Sequence, residues 1–142
     1  IGGSIARAAR AQELAGEIVA TARSPETRKR VRELGIVDRV VDTNAEAVKN
    51  ADLVILSIPV GACGPVAEDI APHLKPGAII SDVGSVKGMV LRDMAAHLPK
   101  TVHFIPAHPV AGTEHSGPDS GFAELFINRW CILTPGGCPA PR

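Results

Sequence analysis

The sequence predicts an α/β protein with a doubly wound, mostly parallel sheet, and three observations lead to this fold class. Apolar runs of strand length alternate with segments of helical periodicity along the 142-residue chain. The run at 52–58 is almost continuously apolar, which is typical of a strand covered on both faces. Polar, glycine-containing loops follow three of the predicted strands, at the sheet edge where such proteins bind ligands.

The first half of the chain contains three predicted helices and two predicted strands. Residues 1 to about 15 are alanine-rich, with apolar positions as far as Leu14 on one face, and predict a helix that Gly16 ends. Ser24 caps a second helix, which has a proline at its first position and ends at Gly35. The remaining predictions of this half are strands at 17–22 and 39–42 and a short helix at 45–50 that Asn44 caps.

The second half repeats the alternation. Val66, Ile70 and Leu74 recur at a four-residue spacing, which predicts one helix, and the segment 86–98 shows the same periodicity and predicts another. Between them, a Pro-Gly pair at 76–77 turns the chain into a strand. The predicted strands of this half are 52–58, 78–82, 102–105 and 129–133, and the Pro/Gly-rich tail 136–142 is predicted to be irregular.

Composition argues against several classes of protein. Fifteen basic residues balance fifteen acidic ones, so the chain has no electrostatic footprint for nucleic acid or an anionic membrane. We expect neither a signal peptide nor a transmembrane span, and a cytoplasmic protein with reduced thiols. Cys63, Cys131 and Cys138 lack metal-ligand spacing, so we expect no metal site, and the apolar run around Cys131 places that thiol in the core.

The start of the chain fits a dinucleotide-binding fold that lacks its first strand. Gly2 and Gly3 open the first helix, and Gly2 fits the last glycine of a G-x-G-x-x-G fingerprint, although a glycine at a helix start can also be a simple cap. We expect the first strand and two earlier glycines to lie before residue 1. The fold would then have a slot between strands 17–22 and 52–58, with unpaired backbone groups, and marginal stability on its own.

Residues at the end of the second strand of such a fold select between NAD and NADP. No acidic residue stands there, and Arg23 and Ser24 could hold the additional phosphate of NADP. Both residue types are equally common at helix starts, so the sequence leaves NAD and NADP open.

Two strand-end loops carry further candidate residues. The loop after the strongest strand contains the candidates Ser57, Pro59 and Val60. Pro59 and Gly61 allow a tight exit from the strand, which either brings the backbone close to a ligand or forms an ordinary turn. Gly84 and Ser85 follow the next strand, and Ser85 either caps the helix at 86–98 or presents its hydroxyl to a substrate.

A third loop, at 108–117, is polar and follows strand 102–105. It offers His108 as an acid or base at the strand end, or as a structural histidine.

The combination of Ile-Gly-Gly-Ser at 1–4, Asp-Val-Gly-Ser-Val-Lys at 82–87 and His-Pro-Val-Ala-Gly-Thr-Glu-His-Ser-Gly at 108–117 closely resembles the prephenate/arogenate (cyclohexadienyl) dehydrogenases of tyrosine biosynthesis. The resemblance runs over essentially the whole chain. It implies a Rossmann-type domain and the oxidation of prephenate or arogenate by NAD or NADP, with loss of carbon dioxide.

The resemblance also implies roles for individual residues. His108 matches the histidine that accepts the proton of the ring hydroxyl, and Ser85 matches a serine that orients this hydroxyl. Thr113 matches a substrate-contacting threonine, Glu114 matches a neighbouring polar gate residue of the substrate site, and His115 is a further pocket residue.

A helical second domain, which in this family supplies an arginine for the substrate and forms a homodimer, would be absent. We therefore expect 1–142 to be a partial NAD(P)-binding domain, truncated at both ends and inactive alone. Two alternatives stay open. One is another NAD(P)-dependent dehydrogenase of the 6-phosphogluconate or β-hydroxyacid type, and the other is an inactive nucleotide-binding module.

Overall fold

Helices and strands alternate along residues 1–135, the part of the chain that the computed structural model describes. The helices are α1 (Gly2–Ala11), α2 (Pro25–Leu34), α3 (Asn44–Val48), α4 (Cys63–Ile70) and α5 (Lys87–Ala95). The strands are β1 (Val19–Ala20), β2 (Arg39–Val40), β3 (Leu53–Leu56), β4 (Ile79–Asp82), β5 (His103–Phe104), β6 (Ala107–Pro109) and β7 (Cys131–Leu133). The predicted α/β alternation is confirmed, although most elements are shorter than predicted. The predicted irregular tail and Cys138 lie outside the described residues.

The chain divides into two units. Unit 1 contains residues 1–47 and 111–130, and unit 2 contains residues 48–110 and 131–135. In unit 1, β1 and β2 form a parallel pair, with Val19 opposite Arg39. A small apolar core supports this pair and consists of Val31, Ile36 and Val37.

Helix α2 of unit 1 has the boundaries that its sequence predicts. The Ser24 side chain accepts a hydrogen bond of 3.1 Å from the Thr27 amide, and Pro25 occupies the first helical position. Gly35 ends the helix in the left-handed conformation, at φ 59°. These signals are local, because each acts within one turn of the helix terminus.

The end of α1 differs from the prediction. The helix ends at Ala11, because Glu13 adopts φ 52° and the Leu14 amide turns back to the Ala9 carbonyl. Leu14, predicted to lie on the buried face, is therefore 71% exposed.

The start of α3 also differs from the prediction. Its cap is Thr43, whose hydroxyl accepts from the Glu46 amide while the Glu46 carboxylate accepts from the Thr43 amide. This reciprocal pair replaces the predicted cap by Asn44, which is itself the first helical residue.

Unit 2 contains a three-stranded parallel sheet in the order β3-β4-β5. Leu53 pairs with Ile79, and Ile79 in turn pairs with His103. Helices α4 and α5 help to form the unit's core, whose buried members are Val48, Val54, Leu56, Cys63, Ala67, Ile70, Ala78, Ile80, Val90 and Met94. These pairings follow the predicted doubly wound order.

Of the two candidate catalytic residues of unit 2, one lies in another element than predicted and the other does not cap the helix that follows it. His108 lies in strand β6, not in a loop, because β6 pairs antiparallel with β7 and places His108 opposite Ile132. Ser85 is not a helix cap, since α5 begins at Lys87 and Val86 precedes it without a capping side chain.

The prediction for Cys131 is wrong. This thiol is exposed and not part of the core, because β7 is a short strand whose residues are all exposed.

None of the helices within residues 1–135 combines the length and the apolar character needed to cross a bilayer.

Candidate active site

A buried carboxylate, Asp82, lies at the carboxyl end of β4. Its side chain is fully buried, and its two oxygens accept hydrogen bonds from the amides of Gly84 and Ala107, at 2.8 and 3.3 Å. It also forms an ion pair with Lys87, whose side chain is only 14% exposed. A charge this deep is stable only when it is paired and hydrogen-bonded, and Asp82 meets both conditions.

Lys87 extends this arrangement to strand β6. Its ammonium group donates to the Ala107 carbonyl at 2.7 Å, so that both backbone polar groups of Ala107 are bound by the Asp82–Lys87 pair. Ala107 immediately precedes His108. The loop that carries Ser85 and the strand that carries His108 are therefore joined through two charged side chains.

The two predicted catalytic side chains keep their polar atoms available. The imidazole of His108 is half-buried, and within residues 1–135 it makes no hydrogen bond or ion pair. Ser85 is exposed, and its hydroxyl has no hydrogen-bond partner in the same part of the chain. Both groups can therefore exchange a proton or a hydrogen bond with a bound molecule.

The predicted cofactor residues of unit 2 fall into two groups. Val60 and Gly84 are brought together, since a Cβ atom on Gly84 would lie 2.9 Å from Cγ2 of Val60 and 3.0 Å from an Asp82 oxygen. Ser57 and Pro59 are exposed in the loop after β3. Only glycine fits at position 84, because any side chain would displace the Val60 loop or the buried carboxylate.

Unit 1 contains a cavity of about 210 Å³ beside the first turn of α1. Gly3, Thr113 and His115 line it, so one predicted cofactor residue and two predicted substrate residues share a single cavity. Gly2 lies at the start of the same helix, and Glu114 is an exposed residue of the adjoining loop. The Thr113 hydroxyl donates to the His115 carbonyl at 3.4 Å.

The segment 117–122, which follows the Thr113 loop, is bound to α1 by two residues without a predicted role. The buried hydroxyl of Ser4 accepts from the Phe122 amide at 3.1 Å, and Arg7 donates to the Pro118 carbonyl at 3.2 Å. Both α1 residues act on backbone groups of the segment, so its path depends on the first two turns of the helix.

The same segment is bound to α2 by an ion pair. Arg30 donates from Nε to both oxygens of Asp119, at 2.9 and 3.1 Å, and from Nη2 to Oδ1 at 2.5 Å. These hydrogen bonds hold the pKa of the Asp119 carboxyl below its usual value.

The predicted nucleotide-selecting residues lie at the end of β1. Arg23 is exposed, whereas the Ser24 hydroxyl already bonds the amide and the hydroxyl of Thr27. Arg28 crosses this turn and donates to the Ala22 carbonyl at 2.7 Å. Arg28 therefore gives the turn its shape.

The thiol of Cys63 lies in the same unit as the Asp82–Lys87 pair. Burial raises the pKa of this thiol, and the Asp82 carboxylate adds to the effect, so the sulfur stays protonated at neutral pH. In residues 1–135, no three histidine, cysteine, aspartate or glutamate side chains cluster as metal ligands would.

A parallel sheet in the doubly wound order, a glycine-started helix beside a cavity, and polar loops at the strand ends define a nucleotide-binding domain of the dehydrogenase type. Residues 5–140 match the family described as "Prephenate dehydrogenase, nucleotide-binding domain". The chain belongs to this family, which confirms the resemblance of its motifs and favours it over the β-hydroxyacid alternative.

Individual relatives agree with the family match. The chain is 46% identical over 135 residues to the cyclohexadienyl dehydrogenase of Zymomonas mobilis, covering 95% of this chain and 46% of that protein. It is 34% identical over 137 residues to the prephenate dehydrogenase of Bacillus subtilis, covering 96% of this chain and 37% of that protein.

A solved structure shows the same fold. The prephenate dehydrogenase of Aquifex aeolicus in complex with hydroxyphenyl propionate and NAD+ matches with a TM-score of 0.85 at 32% identity, covering 96% of this chain and 47% of that one. The chain therefore spans less than half the length of these relatives.

Proposed function

We propose that this chain is the NAD(P)-binding part of an enzyme that oxidises prephenate, arogenate or both, with loss of carbon dioxide. One observation of the structure carries the proposal. The Ser85 loop and the His108 strand are joined at Ala107 by a buried ion pair, and the polar atoms of both side chains remain available. The family membership and the NAD+ bound to the Aquifex aeolicus relative support the choice of reaction.

The residues at the start of α1 fit a dinucleotide. Gly2 and Gly3 bring no side chains to the first turn of the helix, whose amides favour an anionic group, and the cavity beside Gly3 is open to that turn. When bound, NAD or NADP accepts a hydride from the substrate. The other residues proposed to contact the nucleotide are Arg23 and Ser24 at its adenosine end, and Ser57, Pro59, Val60 and Gly84 along the rest of it.

His108 acts as the base in the proposed mechanism. The neutral imidazole takes up the proton of the substrate hydroxyl as the carbon that bears it is oxidised. Ser85 donates or accepts a hydrogen bond that orients this hydroxyl toward His108. Decarboxylation follows because the ring becomes aromatic. The residues proposed to contact the substrate are Thr113, Glu114 and His115.

Replacement of the base tests the mechanism. In the full-length protein that carries these residues, His108→Asn should lower turnover by about 10²- to 10⁴-fold, the range for loss of a general base. His103→Asn is the matched control, since His103 is an exposed histidine on β5 and should leave turnover unchanged. Assays with prephenate and arogenate, each with NAD and with NADP, identify the substrate and the cofactor. Unchanged turnover of His108→Asn would refute the proposal.

The remaining proposals concern the whole protein. We place it in the cytoplasm, as a homodimer formed through a helical second domain, with small molecules as its ligands and without nucleic acid or membrane partners. Light scattering of the purified full-length protein tests the dimer, and a monomer at assay concentration would contradict it.

A further inference from the structure

We propose that Asp82 and Lys87 are positioning residues for the reaction, which hold His108 and the Ser85 loop in the geometry that proton transfer requires. The inference rests on the proposed function, because it assigns Asp82 and Lys87 a role through His108. It goes beyond that function by adding two residues that act through others and not on the substrate itself.

The position of the backbone before His108 depends on this pair. Asp82 accepts from the Ala107 amide at 3.3 Å, and Lys87 donates to the Ala107 carbonyl at 2.7 Å. Strand β6 is also paired with β7, where His108 is opposite Ile132. The three-residue strand is thus held by two sets of contacts, and its histidine starts from a fixed backbone position.

The same pair also sets the position of the Ser85 loop. An Asp82 oxygen accepts from the Gly84 amide at 2.8 Å, and Lys87 is the first residue of α5. Ser85 lies between these two attachment points. An apolar pair of equal volume would fill the space at lower desolvation cost, but it could not bind an amide and a carbonyl of the neighbouring strand.

The pair also places two opposite charges at the residue before His108. The Asp82 carboxylate and the Lys87 ammonium both bind that residue, Ala107. If Lys87 is replaced, the remaining Asp82 carboxylate should favour the imidazolium form of His108. If Asp82 is replaced, the remaining Lys87 ammonium should disfavour it.

The other titratable groups around this pair and strand are few among residues 1–135. Cys63 of α4 and Asp93 of α5 share the electrostatic environment of Asp82, and Cys131 of β7 is opposite Pro109. All three residues are kept in the variants below. Because burial raises the pKa of the Cys63 thiol, its titration lies on the alkaline side, and a shift of the acidic limb of the pH profile reports the pair.

Two substitutions in the full-length protein separate positioning from mere support of the fold. Lys87→Met leaves the carboxylate uncompensated and should move the acidic limb of the kcat/KM profile to higher pH. Asp82→Asn leaves the ammonium and should move that limb to lower pH. Each should lower kcat by about 10- to 100-fold, the effect of displacing a reacting group by about 1 Å.

Two further variants complete the experiment. Lys87→Gln keeps a donor for the Ala107 carbonyl without the charge, so it should shift the limb as Lys87→Met does but lose less kcat. Asp52→Asn is the matched control, because Asp52 pairs with Lys75 in the same unit but is exposed, and neither kcat nor the profile should change.

The outcomes distinguish this inference from the proposed function. If His108→Asn keeps its turnover, the proposed function fails. If His108→Asn is inactive, while a folded Lys87→Met or Asp82→Asn protein keeps the kcat or the pH profile of the parent, the inference alone is overturned. Circular dichroism identifies the folded variants. Should these two not fold, Lys87→Gln decides through its pH profile, and an unshifted limb overturns the inference.

Discussion

Each unit contains an ion pair that holds a segment next to predicted site residues of that unit, and the two pairs differ in solvent exposure. In unit 2, Asp82 and Lys87 hold the His108 strand, with side chains 0% and 14% exposed. In unit 1, Arg30 and Asp119 hold the segment after the Thr113 loop, with side chains 46% and 56% exposed. The two ion pairs should therefore contribute very differently to the stability of the protein, because water and salt screen the exposed pair far more than the buried one.

The largest effect is expected from removing the buried carboxylate. Asp82→Ala leaves the Lys87 ammonium without its counter-charge and the amides of Gly84 and Ala107 without their acceptor, which should cost about 3–5 kcal/mol of unfolding free energy. Denaturant titration of the full-length protein measures this cost, with Asp52→Ala as an exposed control that should show little change. A cost equal to that of the control would remove the distinction between the two pairs.

A smaller effect is expected from crowding the same carboxylate. In Gly84→Ala, the new methyl group meets Val60 and an Asp82 oxygen at 2.9 and 3.0 Å, and this overpacking should cost about 1–3 kcal/mol. Gly88→Ala is the control, because nothing lies within 4 Å of a Cβ there and alanine favours the helix. Thermal denaturation of both variants is the measurement, and equal midpoints would contradict the expectation.

The helix cap of unit 1 should have the next largest effect. Ser24→Ala removes the acceptor for the Thr27 amide and should cost about 1 kcal/mol, as cap losses do. Ser24→Asp retains an acceptor and serves as the control. Chemical denaturation compares the variants, and a cost for Ser24→Ala no larger than that for Ser24→Asp would argue against the cap.

The smallest effect is expected from the exposed pair. Its hydrogen bonds lower the pKa of Asp119 in the folded state, so the stabilisation is present above the unfolded pKa of about 3.9 and is lost as the pH falls through the folded value. Asp119→Asn should therefore lower the denaturation midpoint slightly at pH 7 and low salt. The difference from the parent should vanish in 1 M salt, where the Debye length is about 3 Å, and at strongly acidic pH. A difference that persists in high salt would show that the two pairs are alike.

How far the sequence predicts the structure depends on the range of the interactions. Helix α2 agrees closely with its prediction, because Ser24 and Gly35 act through their immediate neighbours. The end of α1 at Ala11 is not predicted from the sequence, because Glu13 adopts a left-handed conformation that its residue type does not favour.

The candidate site shows the same limit. The motifs give roles to His108 and Ser85 but none to Asp82, although Asp82 begins one of them, because its contact with Ala107 lies 25 residues further along the chain. The sequence also predicts a loop at His108, because the strand partner of this residue, Ile132, is distant in the chain and local pattern does not reveal the pairing. The roles predicted for His108 and Ser85 stay predictions, and the His108→Asn variant tests the first of them.

The hydrogen bond between Ser4 and Phe122 has a consequence for how the protein folds during synthesis. It closes a separation of 118 residues within unit 1, whose chain leaves after residue 47 and returns at 111. Because unit 2 is nearly continuous, its parallel sheet can form while unit 1 still lacks its last segment. During synthesis, α1 therefore leaves the ribosome long before the segment around Phe122 that binds it. The contact between them should form late and slowly in folding.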